Sequence, residues 1–258
     1  MPDLFDLQLR AQRRDRAARS GPELFLLQRA FEDCIERISL VRRRFERALL
    51  IGCPDPAWAA QLRDFADRVD VIDPGELFAR VADGEQLMED AWEPEPATYD
   101  LVLSVGTLDT VNDLQRVLMA VRWSMRPGGL FLGALSGGET LPRLRSAMRA
   151  ADALAGDATP HVHPRIEASA LAPLLAQVGF LNPVVDVDRV AVGYRSFAQL
   201  IADLRRMGAT NILTQRARRP LSKRAAAAAG ESFMAAAEGE RVTETFEILH
   251  FACWSPPE

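Results

Sequence analysis

The chain has 258 residues, 48% of them hydrophobic and 26% charged, a composition that excludes a disordered or collagen-like chain and supplies one sizeable core. Its 31 basic residues are outnumbered by 36 acidic ones, a net charge of −5, and Lys223 is the single lysine. A mildly acidic chain without a long basic block is poorly suited to gripping nucleic acid phosphates, so that class is set aside.

Residues 4–19 read as a polar helix carrying Arg10, Arg13, Arg14 and Arg16, stopped by Ser20-Gly21-Pro22. Leu24, Leu27, Phe31, Ile35, Ile38 and Val41 recur every three or four residues, which predicts an amphipathic helix over 23–46 with one buried stripe. The period then changes. Ala48-Leu49-Leu50-Ile51 is a continuous apolar run ending in Gly52-Cys53-Pro54-Asp55-Pro56, and helical spacing resumes over 58–65, which reads as strand, loop, helix. Further strands are expected at 69–73, 101–105 and 130–135, with a helix over 113–125 capped by Asn112 or Asp113. The second half continues with helices near 141–154, 169–178, 197–207 and 222–237 and strands at 184–192 and 247–254. Continuously apolar strands separated by helices imply a doubly wound, mostly parallel α/β sheet covered on both faces. No linker or fixed-period repeat divides it, so one domain over 45–258 is expected, preceded by an N-terminal helical extension over 1–44.

Cys34, Cys53 and Cys253 are odd in number and far apart, which fits a reducing compartment and argues against a disulfide framework or zinc knuckle. No apolar run reaches the roughly 20 residues needed to span a bilayer, and the charged start lacks the order of a secretory signal. A cytoplasmic location is expected.

In an open parallel sheet, ligands bind at the carboxyl ends of the strands. Gly52-Cys53 after the first strand, Asp73 ending the second, the strand Tyr99-Asp100-Leu101-Val102-Leu103-Ser104, and Arg126-Pro127-Gly128-Gly129 before the next one together resemble the class I S-adenosylmethionine-dependent methyltransferases over residues 45–136. A narrower resemblance spans nearly the whole chain. Val111-Asn112-Asp113-Leu114, the run from Gly133 to Leu141, Pro160-His161-Val162-His163-Pro164 and the run from Asp203 to Gly208, with the arginine-rich first helix, look like the family of the respiratory complex I assembly factor 5 and its bacterial relatives. The resemblance implies a Rossmann-like, seven-stranded methyltransferase fold with S-adenosylmethionine as cofactor. It also implies a protein or carrier-bound substrate, a complex I subunit among the candidates. The mitochondrial member is credited with hydroxylating an arginine on an iron–sulfur subunit of complex I, and bacterial relatives stand near the malonyl-carrier-protein methyltransferase of biotin synthesis.

Carried onto this chain, the resemblance makes Gly52, Cys53, Asp73, Asp83 and Ser104 the cofactor-binding candidates. Gly52 suits either a close backbone approach or a tight turn. Asp73, 21 residues later, suits two ribose hydroxyls or the start of the Pro74-Gly75 turn. Asp83 suits the adenine amino group or an exposed loop. The family pattern has an acid two residues before Gly52 and glycines two and four residues after it, whereas this chain has Leu50, Pro54 and Pro56. A proline brings a ring and no N–H, so the cofactor loop is degenerate. Asp109, His161 and His163 are the catalytic candidates. The two histidines suit substrate orientation, general-acid work or a structural loop better than metal, because alternate residues of an extended loop point to opposite sides. Two functions remain open: a methyltransferase acting on a protein or carrier-bound substrate, and a cofactor-poor assembly factor or protein-arginine hydroxylase serving complex I assembly.

Overall fold

A computed structural model describes residues 3–156 and 158–257. Asp6 caps the first helix, α1 (Leu7–Arg19), by accepting from the Leu9 N–H. Helix α2 (Phe25–Leu40) buries Ala30, Phe31, Cys34 and Ile38; of the expected stripe Phe31 and Ile38 are fully buried, while Leu24, Leu27, Ile35 and Val41 are half-buried. It stops earlier than its apolar spacing suggests. Val41 adopts extended backbone, and Phe45 opens strand β1 (Phe45–Ile51) by pairing with Ala66 of β2 (Ala66–Asp73). Strand pairing thus overrides the helical period over residues 41–46.

Between those strands lies α3 (Pro56–Leu62), and after β2 come α4 (Glu76–Val81), the two-residue β3 (Glu85–Gln86), β4 (Tyr99–Val105) and α5 (Leu114–Ser124). Asp113 provides the α5 cap, accepting from the Arg116 N–H. The chain continues through β5 (Met125–Ser136), α6 (Pro142–Ala155), α7 (Ala168–Gln177), β6 (Leu181–Tyr194), α8 (Phe197–Arg206), α9 (Lys223–Met234) and β7 (Val242–Trp254). The strands form one seven-stranded sheet in the order β3-β2-β1-β4-β5-β7-β6, in which β7 runs antiparallel to both neighbours. The expected doubly wound, mostly parallel architecture is the one observed. Strand β3 carries two exposed polar residues and left no apolar signal to read.

Continuous apolar strands are explained by two covered faces. Leu50, Leu101, Leu103, Leu130 and Leu132 pack under α2 and α3, where Phe31 stacks on Trp58 with ring centroids 4.5 Å apart. Leu49, Ile51, Val102, Phe131 and Phe251 pack under α5 and α7. Each such side chain contributes about 1.5–3 kcal/mol on burial. The boundary expected between residues 44 and 45 falls between α2 and β1, and Phe31 and Ile38 share a core with the strands. A third cluster joins α6, α8 and α9 to Tyr194, Val242 and Phe246. Among the described residues, no helix is long and apolar enough to cross a membrane.

Candidate functional site

Strand order reverses between β1 and β4, so the crevice of this sheet opens where β1, β2 and β4 end. Gly52 has φ +84°, and its N–H donates to the Ile72 carbonyl at 2.8 Å. A Cβ there would lie 2.5 Å from Thr107 Cγ2 and 2.8 Å from the Val105 oxygen. Both the backbone conformation and the close approach of the loop after β4 therefore require glycine. Ser104 is fully buried, its hydroxyl 3.5 Å from that of Thr107. Cys53 is also buried, and that burial, with Asp73 adding to it, pushes its thiol up to about 12. Leu50 belongs to the core under α2 and α3. Pro56 has a local explanation as the first residue of α3, behind an Asp55 cap, whereas Pro54 is buried in the loop itself.

Asp73 is the hub of the crevice. Its Oδ1 accepts from Arg14 Nε at 2.8 Å and from the Gly75 N–H at 2.7 Å. Its Oδ2 accepts from Arg14 Nη2 at 2.5 Å and from the Cys53 N–H at 2.9 Å. A carboxylate offers about four lone-pair positions, and here protein donors take all of them. Burial alone would lower the Arg14 pKa, but Asp73, with Glu89 and Asp109 behind it, outweighs that and raises it. The guanidinium also lies over the Phe78 ring, 5.1 Å from its centroid.

One turn earlier on α1, Arg10 grips Glu89 at 2.6 and 3.0 Å and the Thr107 carbonyl at 2.7 Å. Glu89 is fully buried. The rest of α1 is fastened over the same edge. Asp15 accepts from the Leu77 N–H at the start of α4, and Phe5 exchanges hydrogen bonds with the Asn112 side chain. The helix that reads as polar and arginine-rich therefore buries two of its arginines, each against an acid from a distant element. Sequence reading missed Arg10, Arg14 and Glu89. The available signal was their spacing: residues four apart share one helix face. Asp83, by contrast, is exposed on the turn between α4 and β3, with φ +55°, and the acid that reaches the crevice from this side is Glu89.

The three catalytic candidates are also engaged. Asp109 accepts from Arg165 Nη1 at 2.6 Å, both side chains being more than nine-tenths buried. His161 Nε2 meets Asp152 Oδ1 at 2.8 Å and the Thr159 hydroxyl at 3.2 Å. His163 Nε2 accepts from the Ile212 N–H at 3.0 Å, so the ring is neutral with its proton on Nδ1. Burial, assisted by Arg165, pulls the His163 pKa down to about 4. Phe5 meets the same ring edge to face at 5.3 Å. Asp109 and His163 both line a cavity of about 110 Å³ with Arg10, Arg14, Arg165 and Glu247, whereas His161 stands outside it.

A family model described as a methyltransferase domain matches residues 25–182. The chain is 30% identical to the mitochondrial arginine-hydroxylase NDUFAF5 of Mus musculus over 267 residues, covering 98% of this chain and 77% of that one. Identity to a malonyl-acyl-carrier-protein O-methyltransferase of Xylella fastidiosa is 34% over 164 residues, 62% of this chain and 53% of that one. The phosphoethanolamine N-methyltransferase 2 of Haemonchus contortus, solved in complex with S-adenosyl-L-methionine, shares the fold with a TM-score of 0.53 and 14% identity, over 88% of this chain and 52% of that one.

Proposed function

The chain belongs to the methyltransferase-domain family and, within it, to the group of arginine-hydroxylase NDUFAF5, and from that membership we propose that it handles a protein substrate in respiratory complex I assembly with its cofactor crevice closed by its own α1. The observation that carries this reading is the Asp73 carboxylate, saturated by Arg14 and two backbone N–H groups. A ribose presented to that carboxylate would have to displace a buried, doubly bonded guanidinium. Pro54 has no N–H to offer a ligand, and Leu50 places a methyl-bearing side chain in the core where the family pattern has an acid. We read these residues as not fitting S-adenosylmethionine in this arrangement. The extension over 1–44 then works as part of the crevice wall. The three free, buried cysteines support a reducing compartment such as the cytoplasm.

Calorimetry of the full chain with S-adenosylmethionine and with its demethylated product tests the reading. The expected result is no saturable heat up to about 1 mM ligand, which bounds the binding free energy at about 4 kcal/mol. Micromolar binding by the native chain would overturn the closed crevice and favour instead a methyltransferase acting on a protein or carrier-bound substrate. The name of the mouse relative favours a second reading, modification of an arginine on the bound protein. Its check is the mass of the complex I iron–sulfur subunit from cells with and without this chain, and an unchanged mass removes it.

A further inference from the structure

A second cavity, of about 450 Å³, shares Leu141, His163, Arg165 and Leu204 with the wall of the first, and its size falls within the usual range for small-molecule sites. Helices α6, α8 and α9 and the chain around residues 209–221 border this open cleft, with Leu144, Met148, Ile201 and Leu221 among the apolar walls. Two residues of this lining each carry a polar atom buried without a hydrogen-bond partner among the described residues, Arg165 its Nε and Thr210 its Oγ1. The Arg165 side chain is 5% exposed, and its guanidinium is joined to Asp109 through Nη1 alone. A buried charged donor left unpaired is costly, so the position calls for an acceptor. Asp109 balances Arg165 from outside this lining, and the charges on the lining itself are of one sign. Arg165 and Arg205 line the cavity, and no aspartate or glutamate does among the described residues.

We propose that this cavity binds a monocarboxylic acid with an unbranched aliphatic chain, its carboxylate on Arg165 and Thr210 and its tail between α6, α8 and α9. An anion satisfies the orphaned guanidinium donor and the hydroxyl together, with charge-assisted hydrogen bonds. The apolar walls take the tail, and neither contact draws on Asp73 or its partners, so this assignment stands apart from the reading of the closed crevice.

Titration of the full chain with decanoate, methyl decanoate and decylamine tests the assignment by calorimetry. Decanoate is expected to bind saturably, and the uncharged ester and the cationic amine roughly tenfold more weakly or worse, because they cannot answer an unpaired guanidinium. Arg165→Gln is expected to erase the preference for acid over ester. Should that variant fail to fold, Thr210→Val removes only a hydroxyl, and it is expected to weaken decanoate severalfold while leaving the ester unchanged. Ala226→Trp, at an exposed position on the lining, is expected to abolish binding while circular dichroism stays native. Absence of saturable decanoate binding, equal affinity for acid and ester, or full binding by Ala226→Trp would each overturn the proposal.

Discussion

Replacing Arg14 by Met probes the contact on which the closed crevice depends. Methionine keeps much of the apolar stem and removes every donor. The Arg14 side chain is 8% exposed and Asp73 is fully buried, so solvent cannot take over the lost hydrogen bonds. Asp73 would keep two of its four donors, the N–H groups of Cys53 and Gly75. Removing one member of a buried ion pair costs about 3–5 kcal/mol, against a total stability of roughly 5–15 kcal/mol. At about 2–4 °C per kcal/mol for a chain of this size, the melting temperature should fall by roughly 6–20 °C. Urea unfolding followed by circular dichroism measures the loss directly. Asp73→Asn in the same background removes the stranded charge, so the two changes together should cost less than their sum by roughly 1–3 kcal/mol. A loss below about 1 kcal/mol, the size expected of a solvent-exposed pair, or strict additivity, would refute the argument that α1 is locked into the crevice by this pair.

Gly52→Ala should cost roughly 2–5 kcal/mol, combining a positive-φ penalty with overpacking against Thr107 and the Val105 carbonyl; an unshifted urea midpoint would contradict the close approach. His163 supplies a pH dependence with a definite sign. Its folded pKa is held near 4 while the free imidazole titrates near 6.5, so on acidification the unfolded chain takes up the proton first. Stability is therefore full above about pH 6.5 and declines by about 3 kcal/mol as the pH falls towards 4. His163→Gln keeps an acceptor for the Ile212 N–H and should flatten that segment of the stability curve; identical pH slopes in variant and native chain would sink the assignment.

Much of the architecture was legible because burial is written locally. Leu49 and Ile51 face one side of the sheet while Ala48 and Leu50 turn to the other, and a strand covered on both faces must then be apolar throughout. Turn and cap chemistry is equally local. Asp113 at the head of α5, and Gly179 with φ +94° after α7, stand where their residue types predict. Expectations went astray where the deciding partner was remote. Residues 41–46 continue a helical period, yet Phe45 is claimed by β2.

The site divides along the same line. Residues Gly52, Cys53, Asp73 and Ser104 could be placed at the crevice from sequence, because strand ends and turn residues mark that edge of a parallel sheet. Sequence could also show that Leu50, Pro54 and Pro56 depart from the family pattern. What fills the crevice was beyond its reach. Arg14 meets Asp73 across 59 residues and Arg10 meets Glu89 across 79, and nothing in the spacing along α1 distinguishes an arginine bound for water from one bound for a buried carboxylate. Composition and periodicity therefore determined the fold and marked the edge where its strands end. Only the tertiary structure decided that Asp73 and Glu89 at this edge are paired with the chain's own arginines, since the pairing of a long charged side chain depends on which distant element is brought within its reach.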